Sequence, residues 1–350
     1  MPTTLSVVIP AHNVEDYIEG TISSLLAQDD EGLDVVVVDD GSTDETADRA
    51  RALLSGASRM RWTVIQQENK GVSEARNAGL EAACGEYVLF LDGDDFVSAD
   101  LLTSLRHATS RRAADVIAWR WDNITPEPGA ASSTRVDPTG RITVLPGRSA
   151  LRKLTIDRTL KINMISAAYR REFLRDHRLS FTTDCRKGQD REFIYKSVVH
   201  AEDVVLNDTV LSHYVARQGS TTHSYKIRHF DSVVAHRRVY DYVLAQGRDD
   251  LVPVAERILF DFAVDRYLGV VSLALRDPGV DIQELRSDVE RAYPGLDSEM
   301  RALILRGALR SRRPRWGRML YLVSPTAYAH GVRRRHRREA RSAPVPREGS

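Results

Sequence analysis

The sequence predicts an α/β protein: an open, mixed, largely parallel sheet with helices on both faces, followed by a mainly helical extension. Three observations carry this. Short apolar runs alternate with stretches of helical periodicity through the first half of the chain. Two of those runs end abruptly in acids, Val35 to Val38 in Asp39-Asp40 and Tyr87 to Leu91 in Asp92, Asp94 and Asp95. Buried parallel strands read as unbroken apolar runs, and their carboxyl ends are where such sheets bind ligands. From Phe230 onward only helical spacing remains.

Leu5 to Ile9 is the first strand, which Pro10 breaks into the polar turn Ala11-His12-Asn13. Ile18, Ile22, Leu25 and Leu26 repeat at helical spacing and stop near Asp29-Asp30. The strand Val35 to Val38 leads into Asp39-Asp40-Gly41-Ser42-Thr43-Asp44, where Ser42 or Thr43 can cap a helix from Glu45 to Leu54. Trp62 to Ile65 is a third strand and Asn69 to Ser73 a turn. Glu74 to Cys84 is a helix whose Ala75, Ala78 and Ala82 allow close backbone approach; Gly85 ends it.

After the Tyr87 strand, Leu101 to Arg112 predicts a helix. Asp115 to Asp122 predicts a strand with Trp119 and Trp121 on one face, either packed or stacked against a sugar ring. Pro126 to Pro138 reads as a loop, Leu151 to Leu160 as a helix, and Ala167 to Arg175 as a short element. Asp190 stands before a helix with Phe193, Ile194, Val198 and Val199 on its apolar side. Val204 to Leu206 and Val210 to Val215 resemble two more strands. Helices follow around Val233 to Val243, over Ile258 to Leu275, and over Ile282 to Tyr293, the last with Asp281 and Glu284 set as a capping pair. Asp261, Asp265 and Arg266 interrupt the second of these, so it is not a membrane span.

With 350 residues, 42% hydrophobic and 28% charged, the chain suits two packed units or one domain with an extension, and neither disorder nor a membrane bundle. Met1 to Ser6 lead into a strand with no basic region or cleavage site, which predicts a cytoplasmic protein. Cys84 and Cys185 have no metal-type spacing and are expected as small buried hydrophobes. Charge is unevenly placed. Twelve arginines face the single acid Glu339 between Arg306 and Arg341, so the net charge of +1 hides a tail of +11 on a body of about −10.

Carboxylates crowded like Asp92, Asp94 and Asp95 raise one another's pKa unless a cation sits among them. Mg²⁺ or Mn²⁺, which prefers oxygen ligands and bridges a carboxylate or two to substrate phosphates, answers that need. The other reading is an Asp-rich turn capping the next helix. No Gly-x-Gly-x-x-Gly follows the first strand and no Walker-type loop occurs, so phosphate is expected to be held through metal, as in a nucleotide diphosphate. Asp190, at its helix entrance, reads either as a general base or as an ordinary N-cap. His213 is an additional metal or phosphate ligand or a structural histidine, and Arg217 meets the diphosphate or is solvated.

Five blocks, in order, give the first half a resemblance: Ser6-Val-Val-Ile-Pro-Ala-His-Asn13, Val37-Val-Asp-Asp-Gly-Ser-Thr-Asp44, Gly71-Val-Ser-Glu-Ala-Arg-Asn-Ala-Gly79, Gly85-Glu-Tyr-Val88 and Leu91-Asp-Gly-Asp-Asp95. They are similar to family 2 glycosyltransferases of the GT-A fold, as found in bacterial polysaccharide and cell-envelope synthesis. A weaker match runs through Gly188 to Phe193 and Arg217 to Ser220, so the resemblance covers about two thirds of the chain. It implies a metal-dependent, inverting transfer of a sugar from a nucleotide diphosphate donor to a hydroxyl of a glycan or lipid-linked acceptor. It implies that Pro10, Ala11, Asn13, Asp39 and Asp40, with Arg76, Asp92 and Gly93, bind the nucleotide. Asp94, with Asp92 and Asp95, would hold the metal, and Asp190 would be the general base. The family usually has Glu-Asp where this chain has Gln189-Asp190, which removes one charge beside the base.

The resemblance implies a nucleotide-sugar-binding half (1–115) and an acceptor-side half (116–228); helical spacing and charge add a helical extension (229–310) and a basic tail (311–350). Trp316, Leu320 to Val323 and Tyr328 among the arginines suit an anionic membrane surface on its inner face; a partly disordered solvated tail is the other reading. Nucleic acid is disfavoured by the acidic body. Two other functions stand beside the transferase: a nucleotidyltransferase, weakened by the missing Gly-rich loop, and a non-catalytic nucleotide-sugar-binding module, favoured if Asp190 only caps its helix.

Overall fold

The computed structural model describes residues 4–28, 31–124, 134–216, 225–310 and 316–342, and its contacts divide the chain into two units, Met1–Ser220 and Thr221–Ser350. The first unit alternates strands and helices as the apolar runs require: β1 (Leu5–Ala11), α1 (Ile18–Leu26), β2 (Leu33–Asp40), α2 (Thr46–Leu54), β3 (Arg61–Gln67), α3 (Val72–Ala82) and β4 (Tyr87–Phe90). β5 (Phe96–Val97), α4 (Leu101–Arg111), β6 (Val116–Ile124), β7 (Ile142–Pro146), α5 (Gly147–Arg152), β8 (Ala167–Arg170), α6 (Arg171–Asp176), α7 (Gln189–His200) and β9 (Asp203–Val215) complete it.

One sheet runs β3-β2-β1-β4-β8-β6-β9-β5, with β7 also paired to β9. β1 to β4 are mutually parallel, in register Leu5↔Leu33 and Leu5↔Tyr87, whereas β8 joins β4 and β6 antiparallel. The chain leaves β1 toward β2 and β3 on one side and returns to β4 on the other. This order reversal puts the topological switch point between β1 and β4, beyond whose carboxyl ends open α/β sheets take ligands. β1, β2 and β4 are buried throughout, which explains their unbroken apolar runs. α3 lies tight against them. A Cβ on Gly79 would stand 2.2 Å from Val8 Cγ1, so only glycine lets the helix carrying Arg76 come this close to the sheet.

Several expectations change. Val204 to Leu206 and Val210 to Val215 belong to one long strand, β9, because register shifts against β6 absorb the polar Asn207-Asp208-Thr209 interruption. The same shifts flank Arg120, the exposed residue between Trp119 and Trp121. Trp119 is buried and its Nε1 donates to Ser212 Oγ at 2.7 Å, so it packs; Trp121 is half-buried. Leu151 to Leu160 divides into α5 and a π-helical turn, Lys153–Asp157. Cys185 is buried as expected, whereas Cys84, past the end of α3, is exposed.

The second unit is helical: α8 (Asp231–Ala245), α9 (Val252–Arg257), α10 (Val264–Ala274), α11 (Ile282–Ala292), α12 (Leu296–Arg310), α13 (Trp316–Val323) and α14 (Pro325–Ser342), with a π segment, Ile258–Ala263, before α10. Its core joins Phe230, Tyr267, Val271, Met300 and Ile304 to Tyr321, Tyr328 and Ala329. The basic stretch is thus folded at least from 316 to 342, and two of its aromatic residues serve the unit's own interior. Among the described residues no helix is long and apolar enough to cross a membrane.

Candidate active site

The turns after β1 and β2 are tied to each other. Asn13, in left-handed backbone, receives Thr43 N–H on its Oδ1 at 2.9 Å, and its own N–H donates to Ser42 Oγ at 3.0 Å. Pro10 and Ala11 are the buried last residues of β1. Asp39 accepts from Ser42 N–H and Gln66 Nε2, both at 3.1 Å, and closes the turn after β2. Asp40 accepts from Gln67 Nε2, Lys70 N–H and Gly71 N–H, each at 2.8 Å. Its carboxylate therefore sets the loop from which α3, the helix of Arg76, starts.

Arg76 is the centre. Its guanidinium, 2% exposed, donates Nη2 to Asp92 Oδ1 at 2.7 Å and Nη1 to Asp190 Oδ1, and lies 5.2 Å from the centroid of the Phe181 ring. Residues from the two halves of the unit, 16 and 114 positions away from Arg76, share one cation. Burial opposes the arginine's charge, but Asp190 and Asp92 outweigh that penalty and hold it protonated more firmly than in water. The two acids keep contact with solvent, Asp92 34% and Asp190 41% exposed, so the cluster presents net negative charge outward.

Asp190 is not the cap of its helix. Gly188 occupies the N-cap of α7, no side chain caps there, and Asp190 sits in the first turn, where the helix dipole favours a carboxylate. Gln189 beside it is buried, and its Oε1 has no hydrogen-bond partner among the described residues. A glutamate there would bury a charge, so the neutral side chain suits the place it occupies. Glu192, the acid that is buried on α7, is satisfied by Lys196 Nζ at 2.7 Å and Thr182 Oγ1 at 2.8 Å. Phe181 stacks on Phe193 with centroids 4.2 Å apart, which fixes the ring under Arg76.

Asp92 and Asp94 are both half-buried and flank the buried Gly93, whose added Cβ would stand 3.2 Å from Val14 Cγ2. Asp95 is fully buried and turns the other way, accepting Val215 N–H at 2.9 Å, so it braces β9. His213, paired with Phe96 across β5 and β9, has both ring nitrogens engaged, Nδ1 with Asp122 at 2.7 Å and Nε2 with Thr134 at 2.8 Å. Arg217 lies outside the described residues. Among the described residues no three His, Cys, Asp or Glu side chains converge as a cage for a metal. Two hard oxygen donors open to solvent are nevertheless what Mg²⁺ or Mn²⁺ needs when substrate phosphates supply the remaining ligands. Asp92 and Asp94 fit such an ion.

Sequence reading names Arg76 among the nucleotide-binding residues but misses its burial and its two carboxylate partners. Arg76 appears in the motif Gly71 to Gly79 with nothing to show that it is buried, and its two partners become visible only once α3 and α7 are packed. Tyr169 is a second omission: its buried hydroxyl lies near enough to Asp190 and Arg76 to feel both charges, and burial raises its pKa.

A largely parallel sheet with acids gathered at its carboxyl edge, and a further acid brought in on a later helix, defines a GT-A fold. Residues 6–179 match the profile of Glycosyl transferase family 2, and the chain belongs to that family. It is 30% identical over 221 residues to the uncharacterized glycosyltransferase EpsJ of Bacillus subtilis, an alignment covering 62% of each chain. It is 28% identical over 217 residues to the poly(ribitol-phosphate) beta-N-acetylglucosaminyltransferase TarS of Staphylococcus aureus, covering 61% of this chain and 36% of TarS. The match thus spans less than two thirds of either relative's length. The structure of TarS residues 1–349 with UDP-GlcNAc superposes with a TM-score of 0.68 at 20% identity, covering 96% of this chain and 92% of that one. A mannosyltransferase of Pyrobaculum calidifontis, solved with GDP-Man and Mn²⁺, gives 0.54 at 18% identity, covering 89% of this chain and 87% of that one. These likenesses establish the fold.

Proposed function

We propose that the first unit is an inverting glycosyltransferase that moves a sugar from a nucleotide diphosphate donor to a hydroxyl of a glycan or lipid-linked acceptor, in cell-envelope polysaccharide synthesis. One observation carries the reading: a single buried guanidinium holds the donor-side acid Asp92 and the helix-borne acid Asp190 in one cluster at the sheet's switch point. The turn 10–13, tied through Ser42 to Asp39, supplies the wall for the base and ribose, and Asp92 and Gly93 border the diphosphate. A divalent ion held by Asp94 and Asp92 would offset the negative charge that grows on the departing diphosphate.

Inversion needs the acceptor oxygen to attack opposite the departing group, and a neutral hydroxyl attacks poorly unless its proton is taken. Asp190 has one oxygen, Oδ1, held by Arg76; its Oδ2 is the atom assigned to receive that proton. Arg76 keeps the carboxylate aimed, and it stays on the protein side of the reacting atoms. Names and contents of the relatives' structures point the same way: UDP-GlcNAc with TarS, GDP-Man and Mn²⁺ with the Pyrobaculum mannosyltransferase. A lipid-linked acceptor would bring the reaction to an anionic membrane surface.

The test is a panel of nucleotide sugars with Mn²⁺, read by thermal stabilisation and by release of the nucleoside diphosphate. Stabilisation with turnover supports the transferase. Preference for nucleoside triphosphates would replace it by a nucleotidyltransferase, and binding without turnover by a non-catalytic binding module.

A further inference from the structure

We propose that the second unit carries a docking surface for an anionic lipid bilayer, formed by an apolar stripe on α13 and a basic face on α14. The stripe is Trp316, Leu320 and Val323, spaced i, i+4 and i+7 and so on one side of the helix, with exposures of 80%, 39% and 79%. The other side of α13 is firmly held. Arg318 donates to Asp261 Oδ1 at 3.1 Å and Asp265 Oδ1 at 2.8 Å, and Tyr321, fully buried, donates to Asp297 Oδ1 at 2.7 Å. A helix anchored along one side thus turns its largest apolar groups to water, the reverse of the arrangement a self-contained helical unit adopts.

α14 behaves the same way with charge in place of apolar surface. Tyr328 and Ala329 pack into the core and Arg333 donates to the Val280 carbonyl at 2.6 Å, while Arg334, Arg335, Arg337 and Arg338 are exposed. Arg334, Arg337 and Arg338 share one side of the helix, opposite Tyr328 and Val332 by helical spacing. α13 and α14 follow one another with Ser324 alone between them and pack together, which keeps the stripe and the basic face within one helix pair.

The combination selects the partner. A soluble polyanion would need the arginines but not the tryptophan and valine; an apolar protein groove would need the stripe but not the arginines. An anionic bilayer takes both, with the indole at the headgroup level and the guanidiniums over the phosphates. The surface thereby separates the basic stretch into residues that fold the unit, Arg318, Tyr321, Tyr328 and Arg333, and residues that face the lipid. Its purpose rests on the reading of a membrane-presented acceptor. Vesicle binding is measured without donor or acceptor, so a protein that binds lipid and transfers no sugar would refute only the transferase.

The full chain is sedimented with vesicles of phosphatidylcholine alone and of phosphatidylcholine mixed with phosphatidylglycerol, and Trp316 emission is isolated by difference from Trp316→Phe. Binding to the mixed vesicles with a blue shift of Trp316 is expected. The pair Trp316→Ser and Val323→Ser should weaken binding by roughly tenfold. Arg334→Ser, Arg337→Ser and Arg338→Ser should weaken it by roughly fivefold each. Because all five side chains are exposed, unchanged thermal unfolding shows that the variants fold. The proposal is overturned if mixed vesicles do not retain the protein, or if the Trp316 and Val323 variant binds as well as the parent, which would mean adsorption by charge alone. It is overturned equally if the stripe mediates self-association of the chain without lipid.

Discussion

Two buried arginine–aspartate clusters, one in each unit, show what distinguishes a site from a brace. In the second unit Asp297, 7% exposed, accepts from Tyr267 and Tyr321 hydroxyls on Oδ1 at 2.6 and 2.7 Å and from Arg286 Nη2 and Nε on Oδ2 at 2.7 and 3.0 Å. One acid meets one base and two neutral donors, every lone pair is used, and the charge cancels. In the first unit the ratio is reversed. One arginine serves two acids, each acid keeps a third or more of its side-chain surface toward solvent, and the residual charge is negative. The closed cluster pins four helices together; the open one leaves net negative charge facing solvent.

The sharpest way to break this comparison is Asp190→Asn, which keeps the shape and removes the proton acceptor. Transfer should fall by about 10²- to 10⁴-fold, the usual contribution of a positioned general base, with donor-induced stabilisation unchanged. Full activity in that variant would leave the open cluster as a second brace. The counterpart in the closed cluster is Asp297→Ala, which strands Arg286 and two hydroxyls. Thermal unfolding should show a loss of about 3–5 kcal/mol while donor binding in the first unit is untouched.

That cluster also predicts a pH dependence. Burial works against an ionised Asp297, but the bonds from Arg286, Tyr267 and Tyr321 outweigh it and hold its pKa below the ordinary carboxylate value. A depressed folded-state pKa contributes stability that is present above the unfolded value of about 4 and is lost as pH falls through the folded one. Thermal unfolding followed downward in pH should therefore steepen below about 4 for the parent and be flatter for Asp297→Ala.

A smaller effect belongs to the metal. Asp94→Ala should lower donor affinity by tenfold or more, about 1.4 kcal/mol, in the presence of Mn²⁺ and leave it unaltered when the ion is withheld. Calorimetric titration of the donor with and without Mn²⁺ measures both, and an equal affinity for the two proteins with Mn²⁺ would move the ion elsewhere.

The open cluster was half legible in the sequence, and the closed one not at all. Asp39, Asp40, Asp92 and Asp94 announce themselves because an apolar strand that stops in acids violates the local pattern. Arg76 does not: on a helix with Glu74 and Asn77 beside it, an arginine reads as surface, and only the missing Cβ of Gly79 and the packing of α7 bury it. β5, β7 and β8, of two, five and four residues, carry too little periodicity to separate from loops, yet β8 joins the two halves of the sheet. In the second unit Tyr321 and Tyr328 are seven residues apart, a helical interval, but the surrounding arginines mask the spacing as a charged tail.

The smallest prediction separates a satisfied hydroxyl from an unsatisfied one. Tyr321→Phe removes one of the donors to Asp297 and should cost about 1 kcal/mol, since the acid keeps its bonds from Tyr267 and Arg286. Tyr169 OH, buried against the open cluster, has no hydrogen-bond partner among the described residues, so Tyr169→Phe removes a polar group whose burial is uncompensated. Its unfolding temperature should stay level or rise. If Tyr169→Phe instead costs as much as Tyr321→Phe, the hydroxyl is held by a water or a bound molecule beside Asp190, and the open cluster extends one residue deeper into the protein than Arg76.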